Sequence, residues 1–393
     1  MISSPLTLRF TGASVLRDGT MQARSVAIEN GVISKGPLPE VDLSGYLVLP
    51  GIIDLHGDGF ERHIAPRPQA HFSLGTALRA TDVEAAANGV TTAYMAHGWS
   101  WEGGKRGPDH AEAFMKALDA FRATMVTDLR IQVRCETHMV DSVDRLLSAV
   151  RRHRIDYVVF NDHIDQTLLA IETDPVWLAR MARDAGIDPA TYLARVKRAA
   201  QEETQVPRFL CKLADAFDTL GVLYGSHDDG DGETRERYSM IGAKICEFPT
   251  RRAAAALARA VGDPILMGAP NVVRGGSQSG NIAALDLIEE GLCDALVSDY
   301  YYPALSAAAF RLVDDGVLSL PDAWAMISSR PADILRLPDR GVVDYGRRAD
   351  LVVVNAETRL IEATISNGRI AHLAGDAARR FVAAGSQIAL AAE

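Results

Sequence analysis

His56 and Asp58 stand two residues apart in LVLPGIIDLHGDGFERHIAPRP (47–68), where an apolar run broken only by Pro50 and Gly51 ends in ionisable groups. Side chains alternate faces along a strand, so these two point the same way from one strand end. A neutral imidazole nitrogen beside a hard carboxylate oxygen is a donor pair for a divalent metal. One His-x-Asp on its own fits a satisfied polar pair just as well. Its weight comes from the rest of the chain, where one apolar run after another ends in a similar residue: Glu136 and His138, Asp162 and His163, His227 with Asp228 and Asp229, Glu247, and Asp299.

Gathered at one mouth, His56, His163, His227, Asp58, Glu136 and Asp299 make a metal site. In this reading His56 and Asp58 hold one ion, His163 and His227 a second, and Glu136 bridges them. Asp299 binds the first ion and takes a proton from the attacking water. Two ions about 3.5–4 Å apart polarise a water and offset the charge that develops on the attacked group. Zinc suits these donors best, with manganese, iron or nickel also compatible. His138, Asp162, Asp228 and Asp229 read as partners that orient the ligands. Glu247 reads as a salt-bridged strand end and no more. The acidic run DDGDGE (228–233) lacks the glycine of a calcium loop where that motif needs it, and reads as a solvated loop.

MGAPNVVRGGSQSGN (267–281) combines Arg274, Gly275, Gly276 and Ser277 just before a helix-like IAALDLIEEG, which would suit a phosphate at a helix N-terminus. A plain flexible turn is the competing reading, and no Gly-Lys-Ser/Thr marks a P-loop. Arg62, Arg67 and Arg274 would bring positive charge to the metals, and arginine forks suit phosphate oxygens. His63, a few residues past the first strand end, is a candidate general acid.

These groups need elements to bring them together. Seven further apolar runs follow the first: 89–99, 128–138, 155–165, 220–229, 242–250, 263–271 and 293–301, with helix-like stretches between them. Continuous rather than alternating apolar residues mean strands covered on both faces, as in a parallel sheet. Eight such units over residues 50–339 predict a (β/α)8 TIM-like barrel, whose catalytic groups sit at the C-terminal strand ends. A helical insertion at 166–219 exceeds the plain barrel and could be a lid or a dimer arm. VAIENGVIS and ATISNGRIA, each with an Asn-Gly turn, place short hairpins near the two termini. Neither end buries a sheet alone, so residues 1–49 and 340–393 predict one small composite β-sandwich domain. The final FVAAGSQIALAAE reads as a packed or frayed tail without chemistry.

The 393 residues suffice for one large domain and a small one, and the formal charge of −10 argues against a general nucleic-acid surface. Cys135, Cys211, Cys246 and Cys293 lack CxxC spacing and read as buried thiols in a reducing compartment. No stretch reaches the roughly 18 apolar residues of a membrane helix, which predicts a cytoplasmic location. The expected partners are a small anionic molecule and further copies of the chain, with neither nucleic acid nor membrane.

PGIIDLHGD, the later strand-end histidines, Asp299 and GVVDYGRRADLVVVN resemble the amidohydrolase superfamily, which implies an amidohydrolase-type barrel and a metal centre. ERHIAPRP, RCE, SHDD, EFPT, MGAPNVVRGGSQSGN, SDYY and RPADILRL are similar to its PhnM-like family, the α-D-ribose 1-methylphosphonate 5-triphosphate diphosphatases of the carbon–phosphorus lyase pathway. The resemblance implies that water attacks the α-phosphorus of a ribosyl 5-triphosphate and pyrophosphate leaves. By the same match His56, Asp58, Glu136, His163, His227 and Asp299 carry over as metal ligands. The chain departs from the family at Gly57-Asp58-Gly59 (usually Thr-Asp-Asn), at Arg62 (usually Lys) and after His163, where Ile164-Asp165-Gln166 replaces a Thr-Pro-Gly run. The alternative reading is carbon–nitrogen hydrolysis by a deacylase, cyclic amidase or deaminase, since the same constellation serves it.

Overall fold

The computed structural model describes residues 4–67 and 70–391. Eight parallel strands pair in chain order: Ile52–Gly57, Val90–Trp99, Asp128–Glu136, Tyr157–Asn161, Leu223–His227, Ile245–Glu247, Ile265–Gly268 and Ala295–Val297. These are the predicted eight. The first, fourth, sixth, seventh and eighth are buried along their whole length, which is why they read as unbroken apolar runs.

The first and eighth strands close the barrel through one parallel bridge, Gly57 to Asp299. The Asp58 amide donates to the Asp299 carbonyl at 2.6 Å, and the Asp299 amide to the His56 carbonyl at 3.0 Å. Below them the buried Asp54 carboxylate accepts from the Ser298 amide (2.8 Å) and hydroxyl (2.6 Å). A Cβ on Gly57 would lie 2.6 Å from the Ser298 hydroxyl and 2.7 Å from Asp54 Oδ2. A side chain at position 57 would displace the Ser298–Asp54 hydrogen bonds.

Both termini build the small domain. A four-stranded sheet comprises Leu8–Thr11, Val26–Glu29, Val32–Ser34 and Glu40–Asp42; a six-stranded one joins Ser14–Arg17, Thr20–Ala23 and Tyr46–Pro50 to Leu351–Asn355, Ile361–Ser366 and Arg369–Leu373. Phe10, Val15, Ile28, Val48, Leu351, Val353 and Ile365 pack in the shared core. Asn30-Gly31 and Asn367-Gly368 both have positive φ, so the predicted turns form as read. The helix Gly375–Ala391 lays Ala377, Phe381 and Ala384 on this core, so the start of the tail packs; Ala392 and Glu393 lie outside the described residues.

The helical insertion is shorter than 166–219. Ile164–Thr173, Pro175–Asp184 and Pro189–Gln201 form a separate cluster around Tyr192, Val196 and Ala182, against Trp101 and Trp177. Val206–Leu220 is instead an ordinary barrel helix, burying Phe209, Leu213 and Phe217 in the main core. Its apolar face has the same helical period as the insertion, so the sequence shows no boundary there. Cys211 on this helix is exposed, unlike the other three cysteines, which corrects the expectation of four buried thiols.

Candidate metal centre

Strand ends of the barrel carry the expected groups, and Glu247 organises them. This carboxylate, wholly buried at the end of the sixth strand, faces the Nδ1 atoms of His56 at 2.9 Å and His227 at 3.1 Å through the same oxygen. Its other oxygen accepts from Gln132 Nε2 (2.6 Å) and the Tyr157 hydroxyl (2.5 Å). Burial alone would raise the Glu247 carboxyl, but the two histidines hold it well below the usual range. An ionised carboxylate only accepts, so both imidazoles donate from Nδ1 and His227 keeps a lone pair on Nε2. Carboxylate-held histidines of this kind are how metal ligands are aimed.

His56, His227 and Glu247 place their ligand-type atoms within 4.8 Å of one another. Four donors already occupy Glu247, so the open valences at this cluster are imidazole nitrogens. Burial and the charge of Arg134 push His227 down to about 4, the neutral form a metal needs. Asp299 and Asp58 stand free of side-chain hydrogen bonds and ion pairs among the described residues, and burial raises both carboxyls. Two aimed imidazoles beside two unpaired carboxylates fit a divalent cation.

The remaining predicted ligands form a second group. His163 Nδ1 lies 2.6 Å from Glu136 Oε1, and its Nε2 lies 3.9 Å from Asp228. Burial would lower His163, yet Asp228 and Glu136 raise it to about 9. Two adjoining cavities open on these groups. One, of about 230 Å³, is lined by His56, His227, Asp228, Asp299, Arg274 and the loop 276–279. The other, of about 380 Å³, is lined by Asp58, Glu136 and His163, with Trp177, Met181 and Tyr192 of the insertion as its far wall. His56 thus pairs with His227, and Asp58 faces the Glu136–His163 side.

Arg134 lines both cavities and was missed by the sequence reading. Gln132, Arg134 and Glu136 alternate along the third strand, a period-2 signal that places all three inside the barrel. Glu247 was underread because three of its four partners, His56, Gln132 and Tyr157, lie 90 to 191 residues away.

Other expectations are corrected. Arg62 donates to the Tyr300 carbonyl at 2.7 Å and pairs with Glu84, and His63 Nε2 meets Glu84 at 2.7 Å. Arg67 is exposed in a loop beyond them. These three side chains line neither cavity; helix Leu74–Ala87, which carries Glu84, turns Arg62 and His63 away. Gly275, in the left-handed region, ends helix Ala269–Arg274, and the next helix begins only at Ala284. The loop therefore follows a helix C-terminus and not an N-terminus, so its anion-binding capacity rests on Arg274, Ser277 and Ser279. Asp229 is buried against Arg235 and Ser226, and Asp231 caps helix Gly232–Met240, so the acidic run is structural rather than solvated.

No protein-family model matches the chain. Over 352 residues it is 32% identical to the alpha-D-ribose 1-methylphosphonate 5-triphosphate diphosphatase of Escherichia coli (strain K12), covering 84% of this chain and 90% of that protein. The chain belongs to this diphosphatase family. It is accordingly an enzyme, a hydrolase on the amidohydrolase fold. Solved structures share that fold with this chain: an amidohydrolase (TM-score 0.63, 16% identity, 94% and 100% of the two chains) and a molinate hydrolase (0.63, 13%, 94% and 95%). A beta-aspartyl dipeptidase from Fervidobacterium islandicum AW-1 matches at 0.60 with 16% identity over 94% and 97%. Among the described residues of the chain, no helix is long and apolar enough to cross a membrane.

Proposed function

We propose that this enzyme is a metal-dependent phosphoanhydride hydrolase of phosphonate metabolism, cleaving the α,β-bond of a ribosyl phosphonate 5-triphosphate to release pyrophosphate. One observation carries the reading beyond the family relationship. The cavity holding His56, His227 and Asp299 is walled by Arg274, Ser277 and Ser279, a cationic and hydroxyl-rich surface that a neutral amide substrate would leave without partners.

His56, His227 and Asp299 would hold one divalent ion and Asp58 with Glu136 and His163 a second, zinc being favoured by the donors. Bound there, the ions supply Lewis acidity to the attacked phosphoryl group and to water. Asp299 takes the proton of the attacking water on its free carboxylate oxygen. The new P–O bond forms at the α-phosphorus, and the bond to the bridging oxygen breaks. That oxygen leaves with pyrophosphate, held by Arg274 and Ser277. The ribosyl end lies in the second cavity, where Trp177, Met181 and Tyr192 present an apolar wall and Glu61 and Glu102 present acceptors for sugar hydroxyls. Glu247 holds the two imidazoles in register throughout.

The test is a product assay of metal-loaded enzyme on ribosyl and nucleoside triphosphates beside N-acyl and cyclic amide substrates. Metal-dependent pyrophosphate release is expected. Ammonia or carboxylate from the amides, with no pyrophosphate, would replace this reading with carbon–nitrogen hydrolysis.

A further inference from the structure

The Arg134 guanidinium stands between the two cavities with most of its donors unused. Nη2 donates to His227 Nε2 at 3.0 Å, while Nε is buried without a partner. Among the described residues no carboxylate lies within 4.0 Å of its nitrogens, although Asp58, Glu136, Asp228 and Asp299 all surround the mouth. An arginine fork presents five N–H groups and cannot shed its charge. A cation placed at the centre of a substrate cavity with one neutral partner is aimed at an anion still to come.

The partner it does have is the difficulty. His227 Nδ1–H is committed to Glu247, which leaves one lone pair on Nε2. That pair accepts from Arg134 or binds a cation, and it cannot do both. A guanidinium beside a divalent ion in a partly buried site also meets direct charge repulsion.

We propose that Arg134 holds the place of a divalent cation at His227 and, once displaced from that nitrogen, binds the phosphoryl group where the two cavities meet. The second half rests on the phosphoanhydride reading; the first does not. Metal loading then delivers the guanidinium to the substrate, so the site assembles its anion clamp only when the ion is in.

The experiment uses the full chain, stripped of metal, as wild type, Arg134→Met and Arg134→Lys. Zn2+ affinity is measured by competition with a chromophoric chelator, and pyrophosphate inhibition and kcat are measured on the loaded forms. Arg134→Met should bind the ion at least tenfold more tightly than wild type, because its competitor is gone. Its kcat should fall at least a hundredfold with a weaker grip on pyrophosphate, and Arg134→Lys should lie between on both scales. Unchanged or weaker zinc binding in both variants overturns the first half. Tighter zinc binding with wild-type kcat and pyrophosphate inhibition overturns the second. If the wild type itself releases no pyrophosphate from any triphosphate, tighter zinc binding still supports the first half, and the proposed function fails together with the second half. Should Arg134→Met not fold, the lysine variant decides by the same zinc measurement.

Discussion

The rings of His56 and His227 stack with centroids 5.0 Å apart, although 171 residues separate them in the chain. Both turn Nδ1 to one Glu247 oxygen, so a single carboxylate sets the direction of two ligands. Glu247→Gln should keep the barrel but lower metal affinity roughly 10- to 100-fold. Metal analysis of the purified variant checks this, and a full complement of ion would show that the stacked pair aims itself. Glu247→Ala should do worse, since four buried donors would lose their acceptor.

Asp299 has its own test. Its backbone is tied into the seam at 3.0 Å while its carboxylate stays unpaired, so Asp299→Asn should leave the melting temperature near that of wild type. Turnover should fall by roughly 10²- to 10⁴-fold, the usual contribution of a positioned base. Near-normal kcat would remove Asp299 from proton transfer.

Arg274 reaches Gln278 at 2.9 Å from an exposed position, a contact of little structural weight. Arg274→Ala should raise KM for a triphosphate by about tenfold or more, the value of a charged hydrogen bond to phosphate. Steady-state kinetics beside thermal unfolding separates this from instability, and an unchanged KM would place the phosphates elsewhere.

Asp128 predicts the acid limit of the fold. At the opposite end of the third strand it meets Arg340 Nη1 at 2.7 Å and Arg130 Nη2 at 2.9 Å. Burial would raise its carboxyl, and the two arginines hold it well below the usual range. A depressed folded-state value contributes stability above the unfolded value of about 3.9, and the contribution is lost as pH falls below it. The melting temperature should therefore hold steady from pH 7 to 5 and drop below about pH 4. Asp128→Asn should start lower at pH 7 and lose less on acidification. A parallel acid profile in the variant would assign the limit to other carboxylates.

Cys211 is the exposed thiol of the four, and burial pushes Cys135, Cys246 and Cys293 above the ordinary thiol range. One thiol per native chain should react rapidly with a disulfide reagent and three should wait for denaturant. More than one fast thiol would mean that the barrel opens.

Much of this was legible in the sequence because its causes are local. Doubly covered strands read as apolar runs, and Asn-Gly turns declare themselves through positive φ at Asn30 and Asn367. The ligand candidates were visible because a charged residue at the end of such a run is conspicuous. Glu247 and Arg134 were not, since each looks like any strand charge until its partners on other strands are known. The helix N-terminus expected at the glycines of 267–281 is not there for a related reason: Gly275 ends one helix, and the next begins only at Ala284.

The sheet shared by the two termini has a consequence for synthesis. Tyr46–Pro50 finds its neighbour in Leu351–Asn355, about 300 residues later, which at 5–20 residues per second is on the order of 15–60 s of translation. Ile52–Gly57, the very next strand, emerges attached to half a sheet, Thr20–Ala23, Ser14–Arg17 and Tyr46–Pro50, whose other three strands are not yet made. The strand that carries His56 is anchored on one side only until the ribosome has made nine-tenths of the protein. Chains truncated before Leu351 would therefore carry every barrel strand they contain on an unfinished support.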